Sequence, residues 1–247
     1  MFPAVAADQG EVKLLAGPAL ANGRYVAGVA ITMPAGSHTY WKMPGDAGVP
    51  PVFSFAGSRN LRDAKVDFPP PRRISEAGLD AFGYLNRVVL PLEVTPADPA
   101  QPADLHVDLA YAVCNTICIP AHATATLSLQ PGTAGPDAPA VAAALASVPS
   151  PATPSERADL AIMPDPGAAK PTWTLAWRGG DAPEDIFADA PDGYYFATRK
   201  IGPATWTLVA DQVPDTRPWP AAVTLTLARA THSLTVSETL DTASATR

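Results

Sequence analysis

The sequence predicts an all-β protein, and three observations carry that prediction. Several segments alternate apolar and polar residues with the period of two that is typical of a half-buried strand. The chain contains 29 prolines in 247 residues, which suits short strands and loops better than long helices. Gly/Pro turns separate the strand-like segments, and this spacing is typical of a β-sandwich or a β-barrel.

Residues 11–130 hold the first set of predicted strands. Two of these segments, 86–94 and 104–113, show the clearest period of two, with apolar residues at alternate positions. The full set of predicted strands covers 24–33, 52–55, 86–94, 104–113 and 123–129. The residues alone therefore predict one β domain here, preceded by a flexible N-terminal segment, 1–10.

The composition changes after residue 130. Residues 131–158 are rich in Pro and Ala and predict a linker with a short helix in 141–148. Residues 159–247 predict a second, smaller β domain that contains no cysteine. Its predicted strands cover 172–177, 194–196, 205–209 and 222–228.

Composition and charge exclude several functions. The net charge of −7 and the pI near 5.0 argue against binding to nucleic acid, which needs clustered Lys and Arg, and against an anionic membrane surface. No apolar run approaches the roughly 20 residues of a transmembrane helix. No phosphate-binding loop, Ser/His/Asp set or paired-carboxylate motif stands out, so we expect no cofactor.

The N-terminal segment resembles the end of a secretory signal. Pro3–Asp8 is a run of small residues like those before a cleavage site, without the charged and apolar parts of a signal. We therefore expect an exported protein whose signal peptide is absent or removed; the alternative is an ordinary flexible start.

The two cysteines of the chain, Cys114 and Cys118, are four residues apart. A disulfide between them would close a very short loop and remove little entropy from the unfolded chain. The pair is therefore easier to explain as two reactive thiols than as a disulfide that stabilises the fold. In a continuous strand their Cα atoms would lie roughly 13 Å apart. A disulfide needs about 7 Å or less, so a bonded pair requires residues 115–117 to form a turn, a bulge or one helical turn.

The residues leave three functions open for the pair. Cys114 and Cys118 supply the attacking and resolving thiols that thiol–disulfide exchange needs. Alternatively, they form a structural disulfide in a β-sandwich interaction module. The third alternative is a metal site of Cys114, Cys118 and His122, with His38 and Met43 elsewhere in the chain as further soft ligands that would suit Cu(I).

Four sequence blocks resemble the N-terminal periplasmic domain of the DsbD/ScsB thiol:disulfide interchange proteins. The blocks are Thr39–Pro51 (TYWKMPGDAGVPP), Phe82–Tyr84 (FGY), Val88–Leu92 (VVLPL) and Tyr111–Pro120 (YAVCNTICIP). Their order and spacing also fit that family over roughly residues 10–130. The second half looks like the extra domain of the ScsB-like branch, with a looser match.

The resemblance implies an immunoglobulin-like β-sandwich, followed here by a second, smaller β-sandwich-like domain. It also implies that Cys114 and Cys118 are the redox pair and that Cys118 forms the mixed disulfide with a partner. Phe82 and Tyr84 fall where the family has a cap loop over the sulfurs. Tyr40 and Trp41 are candidates for partner docking, with a place in the sandwich core as the alternative.

The resemblance further implies thioredoxin-like periplasmic partners and an activity of the protein-disulfide reductase type that needs those partners for turnover. Full-length members continue into a membrane domain and a thioredoxin domain with Cys-x-x-Cys, which this sequence lacks. We therefore expect a membrane electron-transfer protein to act in trans, or from a missing part of the chain.

Overall fold

The computed structural model describes residues 10–19, 23–46, 48–76, 78–216 and 218–241. Residues 1–9, which hold the signal-like Pro3–Asp8 and nearly all of the predicted flexible segment, lie outside the described residues. The chain divides between Val148 and Pro149 into two compact units.

The first unit is a sandwich of two antiparallel sheets. One sheet has the strand order β1-β2-β8-β5, and the other has the order β10-β9-β3-β7-β6, with β4 paired to β9. The strands are β1 (Glu11–Ala19), β2 (Tyr25–Thr32), β3 (His38–Gly45), β4 (Val52–Ser54), β5 (Leu61–Val66), β6 (Arg72–Glu76), β7 (Leu79–Leu85), β8 (Arg87–Pro96), β9 (Ala103–Cys114) and β10 (Cys118–Leu129).

Alternating burial explains why the central strands form where the sequence predicts them. In β9 the apolar residues at every second position, from Ala103 through Leu105 and Val107 to Leu109, are buried, and the polar residues between them are more exposed. This pattern places one face of the strand in the core between the sheets. The all-β, immunoglobulin-like sandwich is therefore confirmed.

The segment predicted as a linker is divided between the two units. Helix α1 (Ala138–Ser147) belongs to the first unit, where Val141 is fully buried and packs against Leu15, Val26 and Ala30. The short strand β11 (Ser150–Pro151) and the helix α2 (Pro154–Ala158) belong to the second unit. Among the described residues, no helix is long and apolar enough to cross a membrane.

The second unit is also built from two sheets, and each of them has four strands. Their strand orders are β11-β18-β17-β14 and β12-β13-β16-β15, and every strand pair is antiparallel except β11 with β18. The core between them is apolar and includes Trp173, Trp206 and Leu225. The remaining strands are β12 (Leu160–Pro164), β13 (Thr172–Trp177), β14 (Asp185–Asp189), β15 (Tyr195–Gly202), β16 (Thr205–Gln212), β17 (Ala221–Ala228) and β18 (Leu234–Leu240).

Candidate functional site: a disulfide at a hairpin end

The two cysteines face each other at the end of a β-hairpin. Cys114 is the last residue of β9, Cys118 is the first residue of β10, and the two are paired in the strand register. Residues 115–117 form the connecting turn, in which the Asn115 amide donates to the Ile117 carbonyl. The Cα atoms are 4.0 Å apart and the sulfurs form a disulfide. The turn that a bonded pair requires is thus present.

The two sulfur-bearing residues differ in exposure. Cys114 is 0% exposed, because β9 lies inside the sheet and pairs Cys114 with Cys118 on one side and with His38 of β3 on the other. Cys118 is exposed, because β10 is the edge strand of the same sheet. The disulfide thus joins one buried and one exposed cysteine.

Tyr40 lies directly over the disulfide. Its hydroxyl oxygen is 2.9 Å from Cys114 Sγ and 3.2 Å from Cys118 Sγ. Disulfide sulfurs carry no proton, so the Tyr40 hydroxyl is the only possible donor in these contacts. Burial, reinforced by the Glu76 carboxylate, raises the pKa of Tyr40 above its ordinary value. Tyr40 therefore keeps its proton and remains a hydrogen-bond donor at physiological pH.

A carboxylate completes the surroundings of the exposed sulfur. Glu76 is the last residue of β6, which pairs with β7, and β7 pairs in turn with β3. Its Oε1 lies 2.8 Å from Cys118 Sγ, and its Oε2 accepts a hydrogen bond from the Tyr40 hydroxyl at 3.0 Å. When Cys118 is reduced to a thiol, that contact becomes a hydrogen bond from sulfur to carboxylate.

His38 lies on the same face of the sheet as Tyr40, two residues away in β3. The two rings meet edge to face with their centroids 5.4 Å apart. The His38 side chain is 6% exposed, and its Nε2 lies 3.6 Å from Glu76 Oε2, beyond hydrogen-bonding distance. His38, Glu76 and Cys114 place their ligand atoms within 4.8 Å of one another.

Of the cap and docking candidates, Tyr40 contacts the sulfurs, whereas Phe82 and Tyr84 lie apart from them. Successive side chains of a strand point to opposite faces, and Ala81 of β7 packs with Tyr40 and Cys114. Phe82 and Tyr84 therefore point to the opposite face of the sheet from Ala81. Phe82 contacts the guanidinium of Arg73, and the Tyr84 hydroxyl donates to the Pro69 carbonyl.

The block Phe82–Tyr84 consequently lies within strand β7 and not in a loop, which corrects the sequence-based placement. The glycine between the aromatics, Gly83, is required by packing, because a Cβ there would lie 2.1 Å from the Thr39 carbonyl oxygen of β3. Trp41 is 1% exposed, consistent with the core alternative. The shielding and docking roles of Phe82, Tyr84, Tyr40 and Trp41 stay predictions.

His122 is too far along its strand to share a ligand set with the cysteines. It follows Cys118 by four residues in the continuous strand β10, which separates their Cα atoms by roughly 13 Å. Its Nε2 contacts Asp108 Oδ1 at 2.6 Å instead. The histidine that the fold brings to the sulfurs is His38, which lies 76 residues before Cys114 in the sequence.

Fold and site together define a class of protein: a β-sandwich domain with a disulfide between one exposed and one buried cysteine. Such a bond offers the accessible sulfur on which thiol–disulfide exchange depends. The comparison with protein families agrees. Residues 11–130 match the family "Thiol:disulfide interchange protein DsbD, N-terminal". Residues 11–130 are therefore a domain of the DsbD N-terminal family.

A solved structure has the same fold over both units. It is the crystal structure of the N-terminal periplasmic domain of ScsB from Proteus mirabilis, which is similar with a TM-score of 0.72 and 22% sequence identity. The match covers 97% of this chain and 96% of that chain. Among curated proteins, no significant match is found.

Proposed function

We propose that this protein is a periplasmic thiol–disulfide interchange protein that passes reducing equivalents through Cys114 and Cys118 to or from thioredoxin-like partners. The observation that carries the proposal is the difference in exposure between Cys118 and Cys114. The match of residues 11–130 to the DsbD N-terminal family supports the exchange chemistry, and the likeness to a periplasmic domain of ScsB supports the compartment.

The exchange step balances within the pair and its partner. When the pair accepts electrons, a partner thiolate attacks Cys118 Sγ, the bond between the two cysteines breaks, and Cys114 leaves as a thiolate that takes up one proton. A second partner thiolate then attacks the partner sulfur of the mixed disulfide and releases Cys118, which takes up the other proton. Two electrons and two protons enter the pair, and the partner is left as a disulfide.

Tyr40 and Glu76 have opposite effects on the two sulfurs. The Tyr40 hydroxyl, which has one proton and donates it to Glu76 in the oxidised form, lies 2.9 Å from Cys114 Sγ and can turn that proton to the sulfur, where it stabilises the thiolate leaving at Cys114. The Glu76 carboxylate beside Cys118 Sγ disfavours a thiolate there and favours the protonated thiol. A reduced Cys118 is therefore a slow nucleophile towards unspecific oxidants, as a relay in an oxidising compartment requires.

Exposed apolar side chains surround the accessible sulfur. Ile117, in the turn between the cysteines, is 74% exposed, and Leu79, opposite Glu76 in the β6–β7 hairpin, is 49% exposed. Large apolar side chains around a reactive sulfur are what a docking protein would cover. The partner proposed to fit here is a thioredoxin-like domain, with a membrane electron-transfer protein as the source of its electrons.

The experiment mixes the oxidised protein with a reduced thioredoxin-like protein and counts the thiols that appear on Cys114 and Cys118 over time. We expect reduction to two thiols, and a mixed disulfide should accumulate when the thioredoxin lacks its resolving cysteine. Ile117→Ser should slow the reaction, whereas Ile201→Ser, which changes an exposed residue of the second unit, should not. A disulfide that resists the thioredoxin and forms no mixed disulfide would identify a structural bond.

A further inference from the structure

One buried polar atom beside the disulfide has no part in the exchange chemistry. His38 Nε2 is buried and has no hydrogen-bond partner among the described residues; Glu76 Oε2, at 3.6 Å, is too far. A buried polar atom that finds no partner destabilises the fold. Exchange uses the two sulfurs, with Tyr40 and Glu76 beside them, so it leaves the imidazole of His38 unexplained.

The donor atoms around His38 form a mixed set of sulfur, nitrogen and oxygen. His38, Glu76 and Cys114 offer ligand atoms within 4.8 Å of one another, and Cys118 Sγ lies 2.8 Å from Glu76 Oε1. In the disulfide the sulfurs are not ligands, but after reduction the cluster offers two thiolates, one imidazole and one carboxylate. Four donors of these types are a set that Zn²⁺ binds, in tetrahedral geometry.

We infer that the reduced form of the first unit binds one Zn²⁺ through Cys114, Cys118, His38 and Glu76. Bond lengths of about 2.3 Å to sulfur and about 2.0–2.2 Å to nitrogen and oxygen require the four donors to surround a common point. In the oxidised form the ligand atoms of His38, Glu76 and Cys114 already lie within 4.8 Å of one another, and reduction frees Cys118 Sγ, beside Glu76, to move into the fourth position. The carboxylate favours Zn²⁺ over Cu(I), because Cu(I) prefers soft sulfur ligands and gains little from a hard oxygen.

Metal binding and disulfide exchange then compete for the same sulfurs. A dithiol or phosphine reductant supplies two electrons, becomes oxidised itself, and converts the disulfide to two thiols with the uptake of two protons. Zn²⁺ displaces both thiol protons, which are released to solvent, and holds the thiolates. The inference rests on the proposed function in one respect, that the pair can be reduced, and it makes the bound metal a block to reaction at Cys118.

The experiment measures Zn²⁺ affinity in competition with a chromophoric chelator. The full chain is reduced with a phosphine, separated from it without oxygen, and assayed for its two thiols before Zn²⁺ is added. We expect one Zn²⁺ per reduced chain and none per oxidised chain. His38→Gln and Glu76→Gln should each lower the affinity by at least about 100-fold, since even outer-shell partners contribute about 10–100-fold.

The matched control is His122→Gln, which changes a histidine that is exposed and paired with Asp108 and should leave the Zn²⁺ affinity unchanged. Thermal unfolding of the oxidised variants checks that each one folds. If His38→Gln does not fold, the spectrum of Co²⁺ bound to the reduced wild-type protein decides, because tetrahedral coordination and thiolate ligation each give characteristic bands.

Three results would overturn the inference. The first is a protein with two assayed thiols, active in exchange, that binds no Zn²⁺; this leaves the proposed function intact. The second is Zn²⁺ or Cu(I) binding that is unaffected by both His38→Gln and Glu76→Gln. The third is a pair that stays oxidised in the phosphine, which would remove the proposed function together with the metal site.

Discussion

The two units share an architecture but differ in what they bury. The second unit packs an apolar core, with Trp173, Trp206 and Leu225 between its sheets. The first unit has an apolar core as well, but one end of its larger sheet also buries His38 and Cys114, with the Tyr40 hydroxyl between them and Glu76. Among the described residues, both units bury polar atoms that have no hydrogen-bond partner, including the indole nitrogens of Trp177 and Trp206 in the second unit, and each such atom costs free energy. What sets this end of the first unit apart is that its buried polar groups lie beside a disulfide.

On the proposed function, the sandwich is a scaffold and the chemistry is confined to one hairpin end. Only the first unit carries cysteines. The same sheet architecture without them, as in the second unit, has no exchange chemistry to perform. Changes in the second unit should therefore affect stability alone, and changes around Cys114 should affect reactivity.

The largest effect is expected from Trp206→Ala in the second unit. Trp206 is 0% exposed, and truncation of a buried tryptophan leaves a cavity that costs about 3–5 kcal/mol of unfolding free energy. Urea unfolding, followed for each unit by amide hydrogen exchange, measures the loss. Ile201→Ala, at a 57% exposed site, is the control and should cost less than about 0.5 kcal/mol. If Trp206→Ala slowed disulfide exchange, it would contradict the assignment of exchange to the first unit alone.

Reduction of the disulfide should have a smaller effect, limited to the first unit. A bond that closes a loop of five residues removes little chain entropy, so its loss should cost about 2 kcal/mol. Urea unfolding, followed for each unit by amide hydrogen exchange, compares the oxidised and reduced proteins. A metal chelator in the buffer prevents zinc from binding to the reduced protein. A shift in the unfolding of the second unit, or a loss above about 4 kcal/mol in the first, would point to a structural role for Cys114 and Cys118.

Tyr40→Phe should cost about 1 kcal/mol, the contribution of one hydrogen bond. The same substitution should also weaken the pH dependence of the unfolding free energy. Because the pKa of Tyr40 is raised in the folded state, its contribution is complete below pH 10.0 and is lost as the pH rises through the folded-state pKa. The unfolding free energy of the wild type should therefore fall above about pH 10 more steeply than that of Tyr40→Phe. Equal slopes would show that Tyr40 does not ionise on unfolding.

The smallest effect is expected from His122→Ala. The side chains of His122 and Asp108 are 60% and 42% exposed, and ion pairs at such sites contribute about 0–1 kcal/mol. Neither the unfolding free energy nor the rate of exchange should change by more than this small amount. A clear loss of exchange activity would return His122 to the site and contradict the placement of His38 beside the sulfurs.

The sequence predicted the hairpin end and named Tyr40 and His38 as candidates, but it did not place either of them beside the sulfurs and did not identify Glu76. Strong period-two patterns located β9, and strand geometry required a turn at 115–117 for a bonded pair. The contact with Glu76 arises from the lateral order of β6, β7 and β3, which is a long-range property. The strand that carries Glu76 is short and largely polar, so no periodicity identified it.

His38 illustrates the same limit. The sequence suggested His122 as the nearest histidine because it is four residues from Cys118, but extended strands move such neighbours apart. A single register pair between β3 and β9 brings His38 to Cys114 across 76 residues of sequence. The aromatic block at 82–84 was likewise assigned to a loop, although its glycine is explained by the close approach of two strands.

The most direct test of the account compares Cys114→Ser with Cys118→Ser in their reaction with a thioredoxin-like protein activated as a mixed disulfide with a chromophoric thiol. In the folded protein, Cys114→Ser should form the conjugate completely through Cys118 and faster than Cys118→Ser, which should react only as fast as the buried Cys114 becomes exposed. In denaturant both variants should react alike. Equal rates in the folded protein, or faster reaction of Cys118→Ser, would contradict the central claim that Cys118 is the sulfur that exchanges.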